Sequence, residues 1–241
     1  MKETNKITAL VTGASRGIGF AIAKRIAPST SKLLITSRKK SKIEQAKRLL
    51  EQSCSSSIVT AHCNHSRARE SAKLIGKWAR ANIRHLDLLV LNAGYYVEGE
   101  LSKMDSRNFE ENLRINFLVN HYLVQELLPL IRKSKLKRII FVGSTAAYEA
   151  YHAVPTYGVA KWALRGYAVN LRRELMQERI GVTFVSPGGT LTDMWAGAKL
   201  PPRRLLDPDD IGKLVAAIIT LSPQAVVEDL ICRPILGDMH G

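Results

Sequence analysis

Cysteine is scarce in this 241-residue chain, and the three cysteines that it has, Cys54, Cys63 and Cys232, lie far apart. Their spacing matches neither a CxxC pair nor a Cys/His zinc motif. This sparse, odd-numbered set argues against a disulfide framework. We therefore expect neither structural disulfides nor a bound metal ion.

Long hydrophobic runs are also absent. No stretch of the sequence approaches the roughly 18 consecutive apolar residues that a membrane-spanning helix needs, so we expect no membrane partner. Residues 1–6 lack the apolar core of a secretion signal. Together with the few cysteines, this predicts a cytoplasmic protein.

Acidic residues are in the minority, with 21 Asp and Glu against 36 Lys and Arg, which gives a net charge of +15. Such an excess favours anionic partners, among them phosphorylated cofactors, acidic substrates and nucleic acid. The basic clusters are short and are not interleaved with aromatic residues, as they would be in a groove that binds single strands. We do not expect nucleic acid as a partner, and we interpret most of the charge as a solvated surface.

Short apolar runs alternate with longer amphipathic stretches along the whole chain. Runs without polar alternation are typical of strands that are covered on both faces. The predicted strands span residues 7–11, 33–36, 57–61, 86–91, 138–142, 182–185 and 229–232. The predicted helices span residues 18–27, 42–52, 68–81, 107–133, 155–178 and 208–221.

This alternation predicts a single α/β domain over residues 1–241, with a Rossmann-type, doubly wound parallel sheet of about seven strands and helices on both faces. Within it, residues 187–206 contain Gly, Pro and two arginines. We expect this stretch to be a mobile substrate loop, and an ordinary surface loop is the alternative.

A glycine-rich loop, TGASRGIG, follows the first predicted strand and opens the first predicted helix. Glycines allow a tight turn and a close approach of the backbone to a pyrophosphate, and the helix N-terminus offers free N–H groups. In this context the loop predicts dinucleotide binding. The candidate cofactor-binding residues of the loop are Gly13, Ser15, Arg16, Gly17, Ile18 and Gly19.

The end of the second predicted strand carries Ser37 and Arg38 instead of the acidic residue that usually binds the ribose 2′-hydroxyl of NAD. The guanidinium of Arg38 could bind a 2′-phosphate in a forked arrangement, and Arg16 lies in the facing loop. We therefore expect NADP(H) as the preferred cofactor, with NAD(H) as the alternative.

Polar and small residues follow other predicted strands, whose carboxyl ends face the ligand crevice of such a sheet. Asn92, Ala93 and Gly94 follow the fourth strand, and residues 187–192 (PGGTLT) follow the sixth. Ala93 and Gly94 leave room for a flat ligand. A simple strand-end turn explains Asn92–Gly94 equally well.

Ser144 lies just after the fifth predicted strand, and Tyr157 and Lys161 follow on the next helix at an i, i+4 spacing that places them on one face. A YxxxK match alone is close to what chance predicts in a chain with this composition. Its position beside Ser144, at the edge where the glycine loop opens, favours a common site.

Taken together, these motifs resemble the short-chain dehydrogenase/reductase family, and the resemblance covers nearly the whole chain. The matching features, in the order that is usual for the family, are residues 12–19, Asn92–Gly94, Asn116, Ser144, residues 157–161 and residues 187–192.

The resemblance implies a catalytic role for Asn116, Ser144, Tyr157 and Lys161. Tyr157 would be the general acid in reduction and the general base in oxidation. A free tyrosine has a pKa of about 10, and the Lys161 ammonium together with the positive nicotinamide would lower it. Lys161 would also bind the nicotinamide ribose, Ser144 the substrate oxygen, and Asn116 a water that links Lys161 to solvent.

The resemblance also implies that the Pro187 turn binds the nicotinamide carboxamide, through Thr192 and the backbone near Gly188 and Thr190. After the third strand the family usually has an Asp near the adenine, and here Cys63 and Asn64 stand instead. Because an Asn side chain can both donate and accept hydrogen bonds, we still expect Asn64 to contact the adenine.

The implied activity is hydride transfer between NADP(H) and a small-molecule substrate that is a carbonyl compound or a secondary alcohol. The family also suggests a homodimer or homotetramer built on the helices at 107–133 and 155–178. A non-catalytic, NADP(H)-binding regulatory protein of the same fold is the alternative function.

Overall fold

The computed structural model describes residues 6–152, 154–195, 199–201 and 203–239. Within these residues, seven strands form one all-parallel sheet with the order β3-β2-β1-β4-β5-β6-β7. The strands are β1 (Ile7–Val11), β2 (Thr30–Ser37), β3 (Ser57–His62), β4 (Leu88–Leu91), β5 (Arg138–Val142), β6 (Gly181–Pro187) and β7 (Asp229–Cys232). The predicted seven-stranded parallel sheet is confirmed.

Helices cover the sheet and connect its strands. They are α1 (Gly17–Ile26), α2 (Lys40–Glu51), α3 (Ala68–Asn82), α4 (Ser106–Leu113), α5 (Val119–Arg132), α6 (Pro155–Leu175) and α7 (Pro208–Ile218). Within the described part of the chain, no helix has both the length and the apolar character that crossing a membrane requires.

The predicted helix at 107–133 is wrong as a continuous α-helix. A π-helical segment, Arg114–Leu118, separates α4 from α5. A π-turn uses an i→i+5 hydrogen bond and therefore inserts an extra residue, which apolar periodicity does not reveal. The inserted segment carries Asn116, whose side chain is fully buried.

The chain crosses over between β3 and β4, so that β1 pairs with β2 on one side and with β4 on the other. In a doubly wound sheet the ligand crevice lies outside the carboxyl ends of the strands at this switch point. The fold therefore brings the segments after β1 and β4 together.

Both faces of the central strands β4, β5 and β6 are buried, as the uninterrupted apolar runs predict, whereas the edge strands β3 and β7 are partly exposed. Alternate residues of β1 face opposite sides: Leu10 packs in a core with α3, α5 and α6, and Val11 in a core with α1, α2 and α7. Residues 187–206, which we predict to be a mobile substrate loop, include positions 196–198 and 202, which lie outside the described residues. That part of the prediction stays a prediction.

Candidate active site at the carboxyl edge of the sheet

A cavity of about 530 Å³ opens at the carboxyl ends of β1, β2 and β4. Fourteen of the predicted site residues line it: Gly13, Ser15, Arg16, Gly17, Ile18, Gly19, Ser37, Arg38, Asn92, Ala93, Gly94, Tyr157, Lys161 and Thr192. Among the described residues, six predicted ones do not line it: Asn64, Asn116, Ser144, Pro187, Gly188 and Thr190.

The glycine loop is held tightly against the segment after β4. A Cβ on Gly13, where φ is +66°, would lie 2.9 Å from the Cα of Ala93, and a Cβ on Gly19 would lie 2.3 Å from Nδ2 of Asn92. Asn92 donates from that nitrogen to the carbonyls of Thr12 and Gly13, at 3.0 and 3.2 Å. Only glycine permits this close packing.

The first turn of α1 is free to receive an anion. Its N-cap residue, Arg16, makes no side-chain capping bond, and the turn contains no acidic residue. The N-terminal N–H groups and the positive end of the helix dipole therefore face the cavity without an internal counter-charge in that turn. This arrangement fits a pyrophosphate.

Three cations line the cavity beyond β2: Arg38, Lys39 and Lys42. The Ser37 hydroxyl donates to Ser15 Oγ at 2.9 Å and so joins the end of β2 to the glycine loop. The first turn of α2 contains no acidic residue. Lys39 and Lys42 are cavity residues that sequence reasoning missed, although both belong to the basic run that begins at residue 38.

Arg16 forms an ion pair with Asp193, which also lines the cavity. The pair joins the glycine loop to the segment after β6. Thr192 packs against the same loop, since a Cβ on Gly17 would lie 3.2 Å from its methyl carbon. Sequence reasoning assigned Arg16 to a cofactor phosphate but did not identify the carboxylate that binds it in the protein alone.

The residues after β3 divide differently from the prediction. Asn64 is exposed, and its Oδ1 accepts from the backbone N–H of Ser66 at 3.1 Å. The next residue, His65, is only 3 % exposed and lines the cavity, whereas Asn64 does not. Burial lowers the pKa of His65 to about 4, with a further contribution from the positive charge of Arg38, so the imidazole is neutral at pH 7.

Tyr157 and Lys161 lie in the first two turns of α6, with the Lys161 Nζ 5.2 Å from the centroid of the Tyr157 ring. Ser144 caps the short 3₁₀ turn at Thr145–Ala147 by accepting from the Ala146 N–H at 3.1 Å. The Ser144 side chain also forms a hydrogen bond with that of Tyr157. The predicted convergence of these three side chains is therefore present in the fold.

The pKa values of the pair are shifted by burial. Desolvation raises the pKa of Tyr157 to about 12, against the smaller opposing effect of the Ser144 hydrogen bond. Desolvation also lowers the pKa of Lys161 to about 8. The pKa of Tyr157 is raised because burial of a phenolate costs more than the protein groups around it recover. This direction is opposite to the lowering of the pKa that we expect when positively charged nicotinamide is bound.

Asn116 contacts the segment that follows Gly94. Its Nδ2 donates to the carbonyl of Tyr95 at 2.6 Å, and its Oδ1 accepts from the Tyr95 N–H at 3.2 Å. A Cβ on Gly94 would lie 3.1 Å from Asn116 Oδ1 and 3.8 Å from Lys161 Nζ. Asn116 therefore lies one layer behind the cavity wall, near the lysine.

The turn after β6 is fixed to the edge of the sheet. The Gly188 N–H donates to the carbonyl of Cys232 in β7 at 2.8 Å, and the Thr190 hydroxyl donates to the carbonyl of Gly188 at 2.8 Å. Thr190 is buried. Of this turn, Thr192 and the neighbouring Asp193 line the cavity.

Comparison with known proteins finds one family. A family model described as short chain dehydrogenase matches residues 7–201. An uncharacterized oxidoreductase of Staphylococcus saprophyticus is 25 % identical over 235 residues, which are 98 % of this chain and 100 % of the relative. An uncharacterized oxidoreductase of Staphylococcus aureus strain MW2 is 27 % identical over 232 residues, 96 % of this chain and 98 % of the relative.

Solved structures share the fold over almost the whole chain. A short chain dehydrogenase from Burkholderia cenocepacia in complex with NADP is 27 % identical with a TM-score of 0.84, covering 95 % of this chain and 97 % of that one. A metagenomic short-chain oxidoreductase in complex with NADP is 25 % identical with a TM-score of 0.83, covering 96 % and 99 %. An alcohol dehydrogenase from Thermococcus sibiricus, at 23 % identity and a TM-score of 0.88 over 98 % and 100 % of the chains, shows likeness of fold alone.

Proposed function

The chain belongs to the short-chain dehydrogenase/reductase family and is an oxidoreductase, and from this premise we propose that it transfers a hydride between NADP(H) and a carbonyl or secondary-alcohol substrate. The observation that carries the proposal is the meeting of Ser144, Tyr157 and Lys161 beside a cavity that also receives the N-terminus of α1. In this proposal the dinucleotide site and the proton donor therefore lie at the same cavity.

In this proposal NADP(H) supplies or accepts the hydride, and the protein contributes position and proton transfer. The Tyr157 hydroxyl donates a proton to the carbonyl oxygen during reduction and accepts one from the alcohol during oxidation. Ser144, which already hydrogen-bonds Tyr157, binds the same substrate oxygen. Lys161, whose Nζ lies 5.2 Å from the centroid of the Tyr157 ring, would stabilise the phenolate and bind the ribose hydroxyls.

The pKa of about 12 for Tyr157 suits the proton-donating direction, because the hydroxyl then stays protonated at neutral pH. For oxidation the phenolate must form, and the positive charge of oxidised nicotinamide would add to that of Lys161 to lower this pKa. In this proposal Asn116, whose Oδ1 lies behind Gly94, holds the water that renews the proton.

Binding of the phosphorylated cofactor is supported by charge. Arg38, Lys39 and Lys42 surround the end of β2 where an acidic residue would favour NAD. Several of the similar solved structures are complexes with NADP or NADPH. NAD(H) is the weaker alternative, since the described residues that line this end of the cavity include no acidic side chain to bind the ribose 2′-hydroxyl.

We also propose that the chain assembles as a homodimer or homotetramer through α6 and its neighbours. Three large apolar side chains of α6 are exposed at helical spacing: Val159 at 38 %, Trp162 at 51 % and Val169 at 40 %. Large apolar side chains along one face of a helix are typical of a contact surface.

The deciding experiment measures NADPH and NADH binding by the change in nicotinamide fluorescence, then NADPH oxidation with a panel of aliphatic and aromatic ketones and aldehydes. We expect NADPH to bind at least about tenfold more tightly than NADH, because one forked arginine–phosphate contact contributes more than about 1.4 kcal/mol. Equal affinities would contradict the role of Arg38.

The Tyr157→Phe variant should bind NADPH with wild-type affinity and lose turnover by about a hundredfold or more, because it lacks the transferable proton. Tyr122→Phe, on α5 and outside the cavity lining, is the matched control and should remain active. A fully active Tyr157→Phe variant would refute the proposed mechanism. A wild-type protein that binds NADPH yet oxidises it with no member of the panel would support the regulatory alternative.

A further inference from the structure

Residues 233–239, the C-terminal segment, follow β7 and return across the end of the sheet beside the candidate active site. Asp238 lies in this segment and is only 7 % exposed. Its carboxylate does not line the cavity, but it contacts two segments that carry candidate site residues. These are the carboxamide turn, residues 187–192, and the Ser144 segment, residues 144–151.

The first contact is with the carboxamide turn. Asp238 Oδ1 accepts from the backbone N–H of Gly189 at 3.0 Å. The same oxygen occupies the space beside Gly188, because a Cβ there would lie 2.1 Å from it. A side chain at position 188 would therefore displace the carboxylate. Arg204 reinforces the contact by donating to the carbonyl of Gly237 at 2.8 Å.

The second contact is with the Ser144 segment. The Tyr151 hydroxyl lies 2.8 Å from Asp238 Oδ2 and 3.0 Å from the Thr145 hydroxyl, and Thr145 also hydrogen-bonds the carboxylate. Thr145 directly follows Ser144, whose side chain bonds Tyr157. Asp238 therefore connects to the proton donor Tyr157 through Thr145 and Ser144, and it contacts the carboxamide turn directly.

The negative charge of Asp238 is itself stabilised. Arg233 forms an ion pair with Asp238 and a second ion pair with Glu149, at 2.6 Å, within the Ser144 segment. Burial alone would raise the pKa of Asp238, but the bonds from Tyr151, Gly189 and Thr145 and the charge of Arg233 outweigh it, and the pKa lies below its ordinary value. The carboxylate therefore stays ionised at neutral pH and accepts from all of these donors.

We propose that Asp238 is a positioning residue for hydride transfer, which holds the carboxamide turn and the Ser144 segment at the separation that aligns nicotinamide and substrate oxygen. The proposal rests on the proposed function, since it concerns the nicotinamide end of the same site. It assigns to the C-terminal segment a part in the reaction that none of the sequence motifs indicates.

The test compares two ligands that share the adenine end but differ at the nicotinamide end: NADPH, and 2′,5′-ADP, which lacks nicotinamide. The variant is Asp238→Asn, which keeps the shape of the side chain but replaces one acceptor oxygen with a donor that faces Tyr151 and Arg233. We expect NADPH to bind about tenfold more weakly and 2′,5′-ADP to bind within about twofold of wild type, as the loss of one charged hydrogen-bond arrangement implies.

The control variant is Asp209→Asn, which removes the carboxylate in the first turn of α7 that binds Arg25 in the last turn of α1 and should change neither affinity. Unchanged NADPH affinity in Asp238→Asn would overturn the positioning role. An equal loss of affinity for both ligands would also overturn it, because a general loss of structure weakens the binding of both ligands alike.

If Asp238→Asn does not fold, Tyr151→Phe removes one hydroxyl from the same carboxylate. It should weaken NADPH about threefold without affecting 2′,5′-ADP. Wild-type behaviour of Tyr151→Phe would then overturn the proposal. A wild-type protein that binds no NADPH would refute the proposed function itself, and this outcome is distinguishable because it precedes any comparison of variants.

Discussion

The ammonium group of Lys161 lies 3.1 Å from the carbonyl of Val142, to which it donates, and the side chain is 3 % exposed. Burial lowers its pKa from 10.5 to about 8. Between these values the unfolded chain holds a proton that the folded protein has released, so stability rises with pH in this window. Below about pH 8 both states are protonated, and the full cost of the buried charge, about 3 kcal/mol, is present.

Replacement of this lysine by an apolar residue should therefore stabilise the protein and abolish its activity. We expect Lys161→Met to raise the free energy of unfolding at pH 7 by about 1–3 kcal/mol, with a gain about half as large at pH 9.5. Urea unfolding at the two pH values measures this. Lys213→Met, at an exposed lysine of α7, is the control and should show no such gain. A gain in unfolding free energy that is the same at both pH values would contradict its assignment to the buried charge of Lys161.

Neighbouring residues of the chain also lie in different environments that the sequence does not distinguish. Arg172 and Arg173 read as one basic cluster, yet Arg172 is 8 % exposed and Arg173 is exposed. Asn64 was the predicted adenine contact, but His65 lines the cavity. In each case the orientation depends on what packs against the element.

Helix α6 carries a candidate site residue at one end and a structural arginine at the other. Tyr157 lies in its first turn and Arg172 in its last turn. Arg172 donates from Nε to the carbonyl of Val182 in β6 at 2.9 Å and forms an ion pair with Glu228, at 3.2 Å, just before β7. It therefore joins the helix to two strands at the edge of the sheet. The same strands carry the carboxamide turn and the C-terminal segment.

Removal of this connection should destabilise the fold. We expect Arg172→Met to lower the free energy of unfolding by about 1–3 kcal/mol, because it leaves the buried carbonyl of Val182 without its side-chain donor and also removes the donor to the backbone carbonyl of Glu228. In the adjacent Arg173, the side chain has the Met176 sulfur, at 3.9 Å, as its only hydrogen-bond partner among the described residues. Arg173→Met should therefore change the free energy of unfolding by less than about 0.5 kcal/mol. Urea unfolding at a constant m-value compares the stabilities of the two variants. Similar losses of unfolding free energy in both variants would refute the structural role assigned to Arg172.

For the whole molecule, two surface properties matter: a net charge of +15 and an apolar stripe on α6 formed by Val159, Trp162 and Val169. Charge of one sign opposes association of copies, so an assembly needs apolar contacts that outweigh this repulsion. Part of the charge, at Arg38, Lys39 and Lys42, lies at the cavity and suits a phosphorylated cofactor.

The proposed assembly makes a specific prediction for Trp162. Wild-type protein should sediment as a dimer or tetramer at physiological salt, and Trp162→Arg should shift it to a smaller species, because a charge would be buried at the contact. Leu74→Arg, on α3 and 64 % exposed, is the matched control and should leave the assembly intact. A monomeric wild-type protein would contradict the proposal.

The sequence by itself determined the sheet, its strands and the positions of the glycine loop and of Tyr157 and Lys161. Apolar runs, glycine spacing and an i, i+4 pair are properties of residues close together in the chain, and their physical consequences are local. The expected convergence of Ser144 with Tyr157 also follows from local information, because strand ends of a parallel sheet share one edge.

Only the tertiary structure decided the features that depend on contacts between segments far apart in the chain. The π-helical turn at Asn116, the choice of His65 over Asn64 and the Arg16–Asp193 ion pair were not predicted. Asp238 contacts Gly189 across 49 positions of the chain. Such contacts arise when the sheet brings separate strand ends together, and burial then sets the pKa of Tyr157 in a direction that no motif encodes.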